Sequence, residues 1–433
     1  MKKSNQITLA CMALTCIVLS FAFIADAAPK GKKKSKGAQD WSAQAEKGVL
    51  PAWEKGYLDI HSINTGTGES TFIIMPDGTQ MLVDMAGAVT SPDDKMFMPF
   101  IPDNSRRPGE WINRYMARCM AWTGNQNLDY VSITHFHGDH MGNVSESFPT
   151  SAIGDWKTMS VTDVLDGNKV GLLVDRAYPD YSYPRNIVNH KAVANYLKCA
   201  NWHVENSGMK MARFVPGVDD QFVMLYDADA YPTFKVQNIA VNGEVWTGKG
   251  TETTCAFPPQ ETFVGGGKSK DHSPSENAVS SVIKVSYGKF DYYGGGDVTH
   301  NGQKYYDWKD VERPVADAVG RVEVMKADHH GSSDSNNPYI VNTLSPQAVI
   351  INVWRNVQPR GGIAKYNDAD IFMSNLHPSM EEKFGDAMER VLMTAGHIVI
   401  RVNPDGRSYY IYALKDTDES MVITRRFGPY ICK

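Results

Sequence analysis

Val131-Ser132-Ile133-Thr134-His135-Phe136-His137-Gly138-Asp139-His140 is an apolar run that breaks into three imidazoles and one carboxylate. Neutral imidazole nitrogen suits zinc and its neighbours, and a carboxylate adds a charged oxygen beside it. If Val131 to Thr134 is a buried strand, the chain leaves the sheet at His135 and must turn, so alternate side chains splay. His135 and His137 then face one ion, while Asp139 and His140, past the Gly138 turn, face a second. Two ions roughly 3.5 to 4 Å apart would share an activated water. A strand that ends in ligands predicts a layered α/β protein with its site at strand ends.

Working outward, Tyr57 to Ile63 and Ser70 to Met75 read as strands separated by Asn64-Thr65-Gly66-Thr67-Gly68, and Pro76-Asp77-Gly78-Thr79 is a turn returning into Gln80 to Val83. An insertion near 88–110 precedes apolar positions at helical spacing from Trp111 to Trp122. Beyond the cluster, strands are expected at Val170 to Val174, Phe234 to Val241, Val279 to Val285, Phe290 to Asp297, Arg321 to Met325 and Ala348 to Val353. Helices are expected at Ala192 to Ala200 and Ser379 to Ala395, an exposed loop near 247–274, and a closing hairpin at Asn403-Pro404-Asp405-Gly406.

Two later stretches can complete the metal site. Asp297 follows three glycines at the end of an apolar strand, where the backbone can bend sharply and aim one carboxylate between both ions. The pair His329-His330, followed by Gly331-Ser332-Ser333, also follows a strand, so one imidazole can reach an ion while the other orients substrate.

In this order the motifs resemble the metallo-β-lactamase-fold superfamily, in particular the soluble hydrolase-like domain of the DNA-internalisation competence channel (ComEC-like) and secreted phosphorylcholine-esterase-like relatives. The resemblance spans about Tyr57 to Leu414. It rests on His135-Phe136-His137-Gly138-Asp139-His140, on the strand-end Asp84 with Gly87, on Tyr293-Gly294-Gly295-Gly296-Asp297, on Lys326-Ala327-Asp328-His329-His330-Gly331-Ser332, and on Leu376-His377-Pro378. It implies a four-layer αββα fold, two Zn2+ ions (Mn2+ or Fe being alternatives), and metal-assisted hydrolysis. His135, His137, Asp139, His140, Asp297, His329 and His330 supply ligands, with His330 favoured over His329 as the final one. The superfamily usually adds a histidine between His140 and Asp297; His190, His203 and His272 are available, and His272 is preferred. Asp139 orients the attacking water, His330 or Lys326 neutralises developing charge, His377 and Ser332 help hold substrate, and Asp84 supports the site.

Composition fits this reading. With 433 residues, 42% hydrophobic and 21% charged, the chain is globular. Lys2 and Lys3 before the apolar run Ile7 to Ala25, with small residues at Ala25-Asp26-Ala27, read as a signal peptide over residues 1–27. A basic leader follows at 28–50, then a single hydrolase domain over 51–433, in a secreted or periplasmic protein with no transmembrane domain after cleavage. Removing the signal takes away Lys2, Lys3 and Asp26, a net +1, and moves the formal charge from -5 to -6, which argues against a stable nucleic-acid complex. Cys119, Cys199, Cys255 and Cys432 remain, in three possible pairings. The expected activity is hydrolysis of a small-molecule or polymer phosphodiester, in nucleic acid, teichoic acid or a lipid head group, by a water shared between the metals. A periplasmic β-lactam hydrolase and a binding protein that keeps the fold without activity are the alternatives. Oligomeric state leaves no trace in the sequence.

Overall fold

In the computed structural model, which describes residues 48–89, 97–263, 273–300 and 307–433, the turn at Pro76 to Thr79 closes the first hairpin: Met75 N donates to the Thr79 carbonyl (2.8 Å) and Ile74 pairs with Gln80. Around it grows a sheet that takes β1 (Gly48–Val49), β2 (Leu58–Ser62), β3 (Thr71–Ile74), β4 (Gln80–Val83), β5 (Asn127–Ser132), β6 (Lys169–Asp175) and β7 (Lys210–Arg213). The chain then builds a second sheet from β8 (Phe234–Val241), β9 (Glu244–Trp246), β10 (Thr253–Cys255), β11 (Val282–Tyr287), β12 (Phe290–Gly294), β13 (Val324–Lys326), β14 (Ala348–Ile351), β15 (Asp370–Met373) and β16 (Val391–Met393). It returns to the first with β17 (His397–Val402), β18 (Ser408–Leu414) and β19 (Val422–Ile431). The spatial orders are β1-β19-β18-β17-β2-β3-β4-β5-β6-β7 and β10-β9-β8-β11-β12-β13-β14-β15-β16.

Each sheet is antiparallel in one half and parallel in the other, with β4 to β7 and β12 to β16 parallel. Parallel strands need crossovers, which supply the helices. On the first sheet lie α1 (Pro108–Thr123), α3 (Ser160–Gly167) and α4 (Lys191–Asn206), with a single turn, α2 (Gly138–Met141), inside the histidine cluster. α1 starts on a proline, ends at a left-handed Gly124, and buries Ile112, Tyr115, Met116, Cys119 and Met120. These pack with Phe72, Leu82, Val131 and Leu173 of the sheet. Outside the second sheet, α5 (Glu312–Val319), α6 (Pro338–Leu344) and α7 (Pro378–Phe384) bury Val315, Ile340, Leu344 and Met380 against Met325, Val349 and Ile371.

The inner faces meet between the sheets, where Phe290 packs edge-on against Tyr409 (5.2 Å between centroids), Phe372 against Phe427 (5.1 Å), and Tyr287 Oη donates to the Gly56 carbonyl. The result is a four-layer αββα architecture, the layering that the family resemblance implies.

The structure corrects part of the sequence reading. The helix expected over Ser379 to Ala395 stops at Phe384; Gly385 sits at φ 50, a 3-10 turn follows, and Val391 to Met393 joins the sheet as β16. The loop near 247–274 contains β10, which pairs with β9, and α1 begins inside the insertion near 88–110. β15, β19, α5 and α6 lack a sequence counterpart; seven- and eight-residue helices fall below the span over which periodicity is readable. The signal peptide and nearly all of the basic leader lie outside the described residues. Among the described residues no helix is long and apolar enough to cross a membrane, and all four cysteines are free thiols.

His397, at the start of β17, is 7% exposed, and its Nδ1 accepts the Asn64 backbone N–H (3.0 Å). Burial, with His61 and Arg118 adding to it, pushes this imidazole down to about 3. The unfolded side chain takes up a proton near 6.5, so the stability from the neutral folded form is complete above that pH and is lost as pH falls toward 3. The expected loss at pH 5 is about 2 kcal/mol. Urea unfolding at pH 7 and pH 5 checks it: His397→Asn, which keeps an acceptor, should lose that much less than wild type over the interval.

Candidate metal centre

The site lies where the parallel halves of both sheets end, the expected place for a ligand in such a topology. Asp84 follows β4, the histidine cluster follows β5, Asp297 follows β12, His329 and His330 follow β13, and Asn352 follows β14.

Asp297 stands at the centre. Gly296 takes a left-handed turn (φ 53), and a Cβ on Gly295 would lie 2.1 Å from Asp328 Oδ1, so only a glycine fits that bend. The carboxylate is 1% exposed, and its two oxygens face different groups. Oδ1 lies 3.2 Å from His140 Nε2 and 3.7 Å from His330 Nε2, while Oδ2 lies 3.8 Å from His135 Nε2 and 3.9 Å from His329 Nε2. Two ligand groups therefore share this residue: His135, His137 and Asp297 on one side, and Glu69, His140, Asp297 and His330 on the other.

The imidazoles are oriented from behind. Asp84 Oδ2 accepts from His140 Nδ1 (2.7 Å) and from Thr134 Oγ1 (2.6 Å), leaving His140 Nε2 toward Asp297. His330 Nδ1 donates to the Asn352 carbonyl (2.9 Å), and Asp334 Oδ1 accepts from His329 Nδ1 (2.8 Å). Ser280 Oγ lies 3.2 Å from His135 Nδ1 and accepts the Asp297 backbone N–H at 3.2 Å. Such partners fix the tautomer and aim of metal-ligating histidines. His329 and His330 both have left-handed backbones (φ 48 and 52), a strain of about 1–3 kcal/mol each. Asn336 offsets it by clamping Asp328, accepting its N–H (2.9 Å) and donating to its carbonyl (2.8 Å). The kinked turn brings both rings to Asp297.

Burial raises the Asp297 carboxyl, but His140, His330 and His329 outweigh it and hold the group well below the usual carboxylate range. Asp139 is half-buried, its Oδ2 3.0 Å from His330 Nε2, and desolvation that raises its carboxyl is outweighed by His140 and His330, which hold it low. Burial drives His135 well below its usual value, with His140 adding to the shift. The donor set fits a divalent cation: His140 Nε2 and both Asp297 oxygens are buried without a hydrogen-bond partner, which is costly unless something positive engages them. Neutral imidazoles and ionised carboxylates are the forms that bind metal.

His135, His137, Asp139, His140, Asp297, His329 and His330 thus converge, Asp84 stands behind them, and Ser332 lines the cleft. Other expected members lie elsewhere. Lys326 is 2% exposed, and its ammonium donates to Glu69 Oε2 (2.8 Å) and the Gly296 carbonyl (2.6 Å), so it braces the site from between the sheets instead of facing substrate. His377 caps α7, its Nδ1 accepting the Ser379 N–H (3.2 Å), and does not line the cleft. His190 precedes α4, and His203 within α4 bonds Asp166 (2.9 Å), both in the outer helical layer. His272 lies outside the described residues. Glu69 is a member that sequence reading missed: its loop reads only as a Gly-rich turn. The reason for that turn is spatial, since a Cβ on Gly68 would lie 2.2 Å from the Asp139 carbonyl, and Glu69 N donates to that same oxygen (2.9 Å).

The ligands open into a cleft of about 610 Å3, open solvent included, lined by His137, Asp139, Asn277, Ser332, Trp354 and Arg360 among others. Removing the brace behind His140 is expected to weaken metal binding: Asp84→Asn, which keeps the shape but not the charge, should lower affinity about 10- to 100-fold, checked by competition with a chelating dye.

No family model matches the chain, and no curated protein does. Among solved structures it is similar to CmlA, a diiron β-hydroxylase from Streptomyces venezuelae, at 12% identity over 82% of this chain and 55% of that one, with a TM-score of 0.37. A point variant of the CmlA β-hydroxylase matches at 11% identity over 82% and 55%, also with a TM-score of 0.37. A protein from Parabacteroides distasonis, provisionally assigned as a metal-dependent hydrolase, matches at 11% identity over 81% of this chain and 98% of that one, TM-score 0.31. The chain spans little more than half the length of the CmlA structures. The architecture rests on the sheets and helices themselves.

Proposed function

We propose that the protein is a secreted binuclear metal-dependent hydrolase that cleaves phosphodiesters. One observation carries the two-metal reading: a single buried carboxylate, Asp297, turns one partnerless oxygen toward His140 and His330 and the other toward His135 and His329. Two zinc ions, or manganese or iron, would polarise a phosphoryl oxygen there and lower the pKa of a shared water.

The chain's own groups supply orientation and proton handling. Asp139 lines the cleft as a carboxylate and can accept a hydrogen bond, then a proton, from an attacking water. Asp84, Asn352 and Asp334 keep three imidazoles in one tautomer and one pose. Lys326, itself paired with Glu69, holds the Gly296 carbonyl, and so the backbone that presents Asp297. The phosphodiester preference is supported by the His-His-Gly-Ser element, which resembles that of the competence-channel hydrolase domain, and by the arginines beside the cleft.

The test combines metal analysis with turnover by the zinc-loaded protein. About two metal equivalents per chain, with hydrolysis of bis(4-nitrophenyl) phosphate and none of a chromogenic cephalosporin, is the expected result. Cephalosporin hydrolysis alone would make the protein a lactamase, and two metals without turnover of either would favour a binding role.

A further inference from the structure

The loop that follows β14 folds back over the His329–Gly331 turn and is pinned there on both sides of Arg360. Gln358 Oε1 accepts the N–H groups of Trp354 (3.0 Å) and Arg355 (3.1 Å), and Gly361 N donates to the Gly331 carbonyl (2.9 Å). Lys365 donates to the Ser332 carbonyl (3.0 Å), and a Cβ on Gly331 would lie 2.6 Å from Pro359 Cβ. The loop is therefore packed directly on the ligand-bearing turn.

Arg360 is exposed and lines the same cleft as His137, Asp139, Asp297 and His330, and no carboxylate among the described residues pairs with it. Next to it, Arg355 lies 5.2 Å over the rings of both Phe97 and Trp354, which stack at 5.4 Å. The cleft's two carboxylates, Asp139 and Asp297, both face the imidazoles and not Arg360. Its one large apolar side chain, Trp354, is 7% exposed, so the wall offers charge and hydrogen bonds and little surface for a lipid tail or a stacked ring.

We propose that Arg360 is a substrate-binding residue that holds a second phosphate beside the bond being cleaved, making polyanionic phosphodiesters the preferred substrates. The inference rests on the reading of the adjoining cluster as a hydrolytic metal centre. A guanidinium presents a planar fork that matches phosphate oxygens bidentately, and one fixed at the rim of a cleft also draws anions toward it.

The test uses the zinc-loaded full chain and two ligand pairs that differ by one phosphate: thymidine 5′-phosphate against thymidine 3′,5′-bisphosphate, and glycerol 1-phosphate against glycerol 1,3-bisphosphate. Calorimetry should find the bisphosphate of at least one pair bound about 10- to 100-fold more tightly. That preference should vanish in Arg360→Ala and return in part in Arg360→Lys, with metal content unchanged in both. In parallel, a 3′-phosphate on the 4-nitrophenyl ester of thymidine 5′-phosphate should lower KM in wild type and not in Arg360→Ala if nucleotides are the source. Equal affinities in both pairs, or a preference that survives Arg360→Ala, overturns the proposal. A binding preference lost in Arg360→Ala without turnover of any phosphodiester would leave the arginine site standing and remove the hydrolase reading; turnover without a phosphate preference would do the reverse.

Discussion

Asp297→Ala is expected to lower bound metal from about two equivalents per chain to less than one and to reduce phosphodiester turnover by more than about 100-fold. Among the described residues, no other side chain faces both ligand groups through separate oxygens. Removing His135 or His330 takes one donor from one group, whereas removing this carboxylate takes a donor from each and leaves the imidazoles His140 and His135 without the charge between them. Asp297→Asn should behave almost as badly, because it keeps volume and loses the negative charge. Metal analysis by mass spectrometry after dialysis, with circular dichroism to verify folding, decides the matter. A variant that keeps two tightly held ions would rule out the shared-carboxylate centre.

Arg176→Met should cost about 3–5 kcal/mol of stability and loosen the His135–His137 side of the site. Arg176 is fully buried and forks onto Glu276, Nε to Oε1 at 2.8 Å and Nη2 to Oε2 at 2.7 Å, while its guanidinium lies 4.7 Å over Phe136. Glu276 Oε1 in turn accepts the Phe136 backbone N–H (2.9 Å), the residue between two ligands. Deleting the arginine strands a largely buried carboxylate beside the metal loop. The double variant Arg176→Met with Glu276→Leu should recover part of the loss, since neither charge is then left alone. Denaturant unfolding of the three proteins measures this, and an undisturbed single variant would show that Phe136 is held by packing alone.

How much of this centre is legible in the chain depends on how each residue is brought to it. His135 to His140 can be read directly because four donors sit within six residues, and Asp297 because glycines before a strand-end aspartate announce a sharp bend. The His329-His330 pair is visible for the same local reason, although the left-handed backbone that turns both rings to one carboxylate is not. Lys326 misleads: beside a histidine pair it looks like a cleft cation, yet it lies on β13, and its side chain points between the sheets to Glu69. His377 has the sequence setting of a substrate contact and the structural role of a helix cap. Glu69, Glu276, Asn277 and Arg360 carry no local mark at all.

From the sequence alone came the layered α/β class, with αββα layering as what the family resemblance implied, and the chemistry of the ligands and their order along the chain, because strand-end motifs and side-chain types are local properties. Only the tertiary structure decided which oxygen of Asp297 serves which group, that Glu69 adjoins the centre while His190 and His203 lie in the outer helical layer, and that Arg360 overlooks it. Those relations join residues far apart in sequence, and their geometry arises only when two sheets stack and their parallel ends meet.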